Sequence, residues 1–494
     1  MTTTIPHRPA AGAVPDPLMW PRDVWRPDRT SIPPRATVGA ALGVGLLGAL
    51  TLQPSVAGVA YPLTGIAVAA TVLATVPPRP RPALLVGAAA ALALLVVAAL
   101  RDAPGLVLAC VLLSWLVWTA ALLGTRTWTG HALAPFVPWC TPLRVAGWVR
   151  RGRTRSGGGV PLGRVLVVAA VSVALVAVFG ALLVSADPEF GAVFDALVPS
   201  VRVRNPLGRL AVGAAVAAVA LSAAYLRRRP PRPDAFAPAP GRPSARWEWA
   251  VPVAALDLLF AGFVAVQLRE LFGGRGHVLR STDLTYAGYA RQGFWQLCAV
   301  TALTLVVIAV AVRRIDRTRP RDRVLARLVL GALCLLSLVV VASAVHRMSL
   351  YETVFGLTRL RLGVMVAELW FGAIVGLLLA AGWRLRGRWL PTAVLVSAVA
   401  GVLALAVVNP DGYIAERNVQ RYERTGDLDV GYLRGLSADA VPALDRLPEP
   451  ARSCALAGVD IGADGAWYEY NAARSRAREI LRERPIGRCE PVWG

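Results

Sequence analysis

The sequence predicts an all-α protein: a polytopic helical membrane protein of about eleven transmembrane helices, with a small helical extracytoplasmic C-terminal domain. Three observations carry this. Of the 494 residues, 56% are hydrophobic and only 17% charged, against roughly 25% charged in an ordinary soluble domain. Apolar runs of about 17–25 residues, the length that crosses a hydrocarbon core of roughly 30 Å, recur along the chain. Short arginine-rich connections separate them, and all 53 basic residues are arginine.

Residues 1–35 are rich in Pro and Arg and precede the first apolar run. They read as a disordered cytoplasmic tail rather than a cleavable signal. Candidate spans follow at 36–52, 57–76, 83–100 and 105–123, the N-terminal membrane helices of 36–123. Gln53 and Pro54 separate the first two so tightly that 36–76 could also be one re-entrant hairpin. Gly39, Gly43, Gly45 and Gly48 give the first span a small-residue face suited to close helix packing. A basic cytoplasmic loop, 124–164, contains RTWTGHALAPFVPWC (126–140). Its Trp128 and Trp139 suit an aromatic anchor at the membrane surface, or an interfacial or re-entrant piece. The larger membrane domain, 165–408, holds spans at 165–184, 208–226, 248–267, 293–312, 327–345, 362–383 and 389–408. PPRPRP (77–82) and RRRPPRPDAFAPAPGRP (227–243) read as linkers near the headgroups. The tail, 409–494, breaks into three or four short helices at Gly, Pro and Asp.

Arginine sets the orientation. Connections on the side of the N-terminus hold 30 arginines and the opposite ones 11. That asymmetry places the N-terminus in the cytoplasm of a multi-pass cell-membrane protein. An odd number of spans then puts the tail outside. The net charge of +23 follows from the same arginines and predicts no nucleic-acid partner, because no aromatic-interleaved basic stripe accompanies it. The partner it predicts is the lipid bilayer.

The absence of lysine removes P-loop, protein-kinase and Schiff-base chemistry. His7, His131, His277 and His346 have no metal-ligand spacing, so neither metal nor cofactor is called for. Cys110, Cys298 and Cys334 lie in spans and Cys140 in a loop, where they read as packing thiols. Cys454 and Cys489 lie in the outward tail, where an oxidising compartment would join them; the plain alternative is two unrelated thiols.

Polarity concentrates in LFGGRGHVLRSTDLTYAGYARQGF (271–294). Arg275, His277, Arg280, Asp283, Tyr286, Tyr289 and Arg291 fall in this one outer connection. Glu352, Arg359 and Arg361 fall in a second, 346–363. Together they could line a ligand site with the tail as its lid, the arginines holding an anionic lipid. The plain alternatives are a loop packed on the tail and arginines snorkelling at a helix end. Two carboxylates lie within spans. Asp257 sits about 12 Å beyond Trp249, and Glu368 roughly 10 Å below Arg361, at 1.5 Å per residue. At such depth a carboxyl faces the bundle and marks a functional candidate, or is neutralised by a proton or an interhelical hydrogen bond.

LFGG followed by TYAGYARQGFWQL, then LYETVFGLTRLRL, NPDGYIAERN and DVGYLRGLSADAVPAL, resembles bacterial polytopic membrane proteins of a domain-of-unknown-function group. The resemblance runs from the fifth span into the tail. It implies a membrane domain of conserved type with a helical extracytoplasmic tail, and no activity. Such proteins are sometimes labelled sensor kinases. This chain departs from that label, having no cytoplasmic region large enough for a kinase and no glycine-rich ATP-binding box.

Three functions compete. A transporter or lipid-handling protein would use Asp257, Glu368 and the outer arginines, although no internal repeat stands out. An enzyme acting on a lipid-linked substrate would need an outer carboxylate, for which Asp187, Glu189 and Asp283 are the candidates. An envelope scaffold would dock a protein partner through 409–494, at Trp467, Tyr468 and Tyr470.

Overall fold

The computed structural model describes residues 24–25, 33–53, 56–76, 80–154, 206–238, 244–272, 294–316, 318–384, 387–462 and 465–489. The expected span 165–184, Asp187, Glu189 and the loop residues Arg275, His277, Arg280, Asp283, Tyr286, Tyr289 and Arg291 lie outside them.

Among the described residues every regular element is helical. The first four helices are α1 (Arg35–Thr51), α2 (Ala60–Thr75), α3 (Pro82–Leu100) and α4 (Pro104–Leu123). A short α5 (Trp128–Leu133), a 3-10 turn (Ala134–Cys140) and α6 (Pro142–Thr154) follow. Next come α7 (Pro206–Arg228), α8 (Arg246–Phe272), α9 (Phe294–Arg314), α10 (Pro320–Phe355), α11 (Arg359–Arg384) and α12 (Leu390–Val408). Eight of these, α3, α4 and α7 to α12, are long and apolar enough to cross a membrane, the pattern of a multi-pass membrane protein. Helices α1 and α2 are separate but shorter, with 17 and 16 residues. At 1.5 Å per residue they reach about 25 Å.

Local chemistry sets the helix starts and stops. Proline opens α3, α4, α7 and α10, where its missing N–H costs nothing because that position has no intrahelical acceptor. Gly356 ends α10 at φ 73°, a left-handed conformation that glycine adopts without Cβ strain.

The helices pack in two groups. One comprises α1 to α4 and α7, around Val72, Leu94, Cys110, Trp118 and Tyr225. The other comprises α8 to α11, around Val253, Phe260, Leu297, Leu333 and Val375. Helix α12 touches α3 and α4 on one side and α11 on the other, and so joins the groups. Helices α1 and α7 approach closely. A Cβ added to Gly45 would lie 2.7 Å from the Ala217 Cβ and 2.8 Å from the Gly213 carbonyl oxygen. The small-residue face is therefore narrower than the sequence suggests: Gly45 and Gly48 meet α7, whereas Gly39 and Gly43 meet nothing within 4 Å.

In the N-terminal stretch, Val24 and Trp25 are buried. The Trp25 indole donates to the Arg229 carbonyl at 3.1 Å, lies beside Tyr225 and carries the Arg144 guanidinium 4.0 Å above its ring. Trp128 and Trp139 are both exposed.

Residues beyond α12 form a helical cap. Its helices are α13 (Pro410–Thr425), α14 (Val430–Leu433), α15 (Val441–Leu444), α16 (Ala451–Leu456) and α17 (Ala472–Glu483). Their shared core of Ile414, Val419, Leu433, Leu444 and Leu456 takes in Leu357 from the α10–α11 link and Leu362 from the first turn of α11. The cap thus completes its core with residues of the membrane helices, as expected for so short a segment. Inside it Arg452, fully buried, donates to Asp445 at 2.8 Å, Glu449 at 3.1 Å and the carbonyls of Arg484 and Pro485. Cys454 and Cys489 are joined by a disulfide with Cα atoms 4.6 Å apart.

Candidate functional site: the cleft beneath the cap

The cap is fastened to the ends of α3, α4, α11 and α12 by side chains that answer backbone groups left open at helix termini. Arg101, in the α3–α4 turn, donates to the Ala406 carbonyl at 2.8 Å and the Val407 carbonyl at 3.3 Å, the last carbonyls of α12. The Asp439 carboxylate accepts from the N–H groups of Asp102 and Ala103 at 2.6 and 3.1 Å, at the entry to α4. It also lies 3.6 Å from the Arg101 guanidinium. The Asn471 amide donates to the carbonyls of Ala98 and Arg101, at 3.0 and 2.9 Å, and its oxygen caps α17. Arg474 lies 3.6 Å from Asp102 and donates to the carbonyls of Ala57 and Glu469.

Arg359 forms the second attachment. Its Nε and Nη2 donate to the two oxygens of Asp411 at 2.8 and 2.5 Å, a fork on a carboxylate. Asp411 is 1% exposed and also accepts from the Ser437 N–H at 2.9 Å. Burial pushes its pKa up, but the hydrogen bonds from Arg359 and Ser437 outweigh burial and hold it below the ordinary carboxylate value. The Tyr432 hydroxyl accepts from the Arg359 N–H at 2.6 Å.

These attachments enclose a cleft of about 410 Å³ between the cap and the outer face of α4. Arg359, Arg474, Asp102 and Asp460 line it, with Tyr61 from α2. Pro104, Leu108 and Val111 form the α4 wall, and Leu108 is 58% exposed. These three recur at helical spacing, so the wall descends along α4 by about 10 Å at 1.5 Å per residue. Asp102 titrates unusually. Burial raises it to about 6, Arg474 opposes that, and nearby Asp439 and Asp460 reinforce it. The arrangement can hold an anionic group at Arg474, accept hydrogen bonds at Asp102 and Asp460, and carry an apolar chain down α4.

The structure brings part of the sequence-predicted site together. Glu352 lies 3.6 Å from Arg417 of α13. Arg361 donates to the carbonyls of Phe355 and Gly356 and stacks 4.5 Å over Tyr351, so it caps α10. Arg359 is neither snorkelling nor isolated, since Asp411 claims its fork. The seven loop residues from Arg275 to Arg291 lie outside the described residues. Sequence reasoning missed Arg101, Asp102, Asp439, Asn471 and Arg474. One signal was present: RDAP, two opposite charges in the turn between two apolar runs.

Of the intramembrane carboxyls, Glu368 is 1% exposed and accepts from the Thr301 hydroxyl at 2.9 Å. Asp257 is half-buried, and its Oδ1 has no hydrogen-bond partner among the described residues. No group of metal-ligating side chains occurs among the described residues.

Comparison with curated proteins and with solved structures gives no match. A family profile does match, over residues 84–447, from α3 through the α15 turn of the cap. It covers most of the chain and reaches further toward the N-terminus than the motifs that first suggested a family. The chain belongs to the family described as Domain of unknown function (DUF4153).

Proposed function

We propose that this membrane protein binds an amphipathic, phosphate-bearing lipid ligand at the outer face of the cell membrane, in the cleft beneath the cap. The observation that carries the reading is the composition of the cleft wall by depth. Charged groups line its mouth, and Pro104, Leu108 and Val111 line its descent along α4. A ligand with an anionic head and an acyl or prenyl chain matches both halves. Arg474 suits the phosphate, and Asp102 and Asp460 suit hydroxyl or ammonium groups beside it. The orientation rests on the arginine asymmetry, with the N-terminus cytoplasmic and the cap outside.

The test is lipid retention. The full chain is purified in detergent with phosphatidylglycerol, and bound lipid is counted by native mass spectrometry. Leu108→Trp fills the cleft from an exposed position, and Arg474→Gln removes the anion donor. Both are expected to lose the retained lipid while their thermal unfolding still shows a folded chain. Wild-type retention in Leu108→Trp would overturn the reading.

A second reading, docking of an envelope protein on 409–494, is favoured by the exposed Trp467 and Tyr470 on the cap. Cross-linking in native membranes that captures the same protein with the wild type and with Trp467→Ala would remove it.

A further inference from the structure

We propose that Glu368 is a cation-binding carboxyl inside the membrane bundle, next to a groove between α9 and α11, and that its cation is a proton or a sodium ion. This goes beyond the cleft and uses none of its residues as ligands.

Glu368 lies nine residues into α11, about 14 Å from its start at Arg359. One carboxyl oxygen accepts from Thr301 on α9, and the Cys298 thiol, one turn earlier, is within hydrogen-bonding reach. The other oxygen, Oε2, is buried and has no hydrogen-bond partner among the described residues, and Glu368 forms no ion pair among them. Its surroundings are the apolar core of α8 to α11, including Leu297 and Val375. A carboxylate here without a positive partner is costly. A carboxylic acid, or a carboxylate with a bound monovalent cation, is not. The unpartnered oxygen marks where the cation sits, and the Thr301 hydroxyl holds the other oxygen of the carboxyl in place.

Cys298, Arg359, Gly363, Val364, Ala367 and Phe371 line a groove of about 310 Å³. Cys298 belongs to both the groove and the carboxyl's surroundings, and Ala367 precedes Glu368. The groove thus reaches Cys298, the thiol next to the carboxyl, while Glu368 itself stays buried behind its lining. Gly363 leaves the α11 surface open, with nothing within 4 Å of an added Cβ. Asp257 differs in burial: it is only half-buried.

The probe is dicyclohexylcarbodiimide on the full chain in phosphatidylcholine vesicles. A carboxylic acid adds across one C=N bond, its proton going to nitrogen. The O-acylurea then rearranges to a stable N-acylurea that peptide mass spectrometry locates. The expected result is an adduct on Glu368 that is lost in Glu368→Gln and reduced in Thr301→Val. If sodium chloride, but not choline chloride, protects at fixed pH, the cation is sodium. If sodium does not protect and labelling rises as pH falls, the cation is a proton. No adduct on Glu368, in vesicles and in detergent alike, would overturn the proposal. Leu108→Trp should label like the wild type, which separates this site from the cleft.

Discussion

At the scale of single residues, the cap depends on buried charges held by more exposed partners. Arg359→Gln leaves the Asp411 carboxylate buried without its fork, a loss of about 1–3 kcal/mol for a buried acceptor deprived of its donor. Arg359→Lys keeps the charge but not the bidentate geometry, so its thermal midpoint in detergent should fall between those of wild type and Gln. A Lys variant as stable as wild type would show that the fork is dispensable. Asp102 carries the pH dependence. With a folded pKa of about 6, above its ordinary value, it makes the folded chain bind more protons than the unfolded chain between about pH 4 and 6. Its contribution to stability therefore rises as pH falls through 6 and is lost as pH rises through it. The same proton neutralises the partner of Arg474, so phosphatidylglycerol retention should also rise on acidification. Both trends should flatten in Asp102→Asn; a variant that still shows them would assign the titration elsewhere. Sequence alone pointed to Glu352, Arg359 and Arg361 as polar positions beside helix ends. It could not pair Asp439 with Ala103 or Asn471 with Ala98, because those partners meet only after the cap has folded onto the bundle.

At the scale of elements, the apolar runs were legible because a helix that faces lipid must be apolar over its whole crossing. Their ends were legible because proline or arginine marks them. The packing faces were less so: four glycines in α1 looked equivalent, and only two meet α7. Gly45→Leu should separate α1 from α7, since even a Cβ there overlaps Ala217 and Gly213. Gly43→Ala should leave the bundle intact, because the added methyl meets nothing. Thermal unfolding of the two variants distinguishes them, and equal behaviour would mean the close approach is not needed. Within the cap, the disulfide closes a loop with a sequence separation of 35. In the chain-entropy model that restricts the unfolded cap by about 3–4 kcal/mol. Cys454→Ser with Cys489→Ser should make the cap more susceptible to protease while the membrane helices remain inserted.

At the scale of the whole molecule, orientation is the claim on which the cleft's access to outer lipid depends. Reporter fusions after Trp383 and after Val408 should report opposite sides of the membrane, the latter outside; a cytoplasmic signal after Val408 would reverse the assignment. The architecture also has a consequence for how the protein is made. Asp439 and Asn471 are translated after every described span, yet they complete the α3–α4 turn, which enters the membrane early. Until they arrive, the carbonyls of Ala98 and Arg101 and the N–H groups of Asp102 and Ala103 lack their partners. The cap is thus a seal that arrives last, and membrane quality control can read its absence. In pulse-chase labelling, a chain stopped after Val408 should insert normally and then be degraded faster than the full chain. Separately exported 409–494 should restore its lifetime by docking on the open turn.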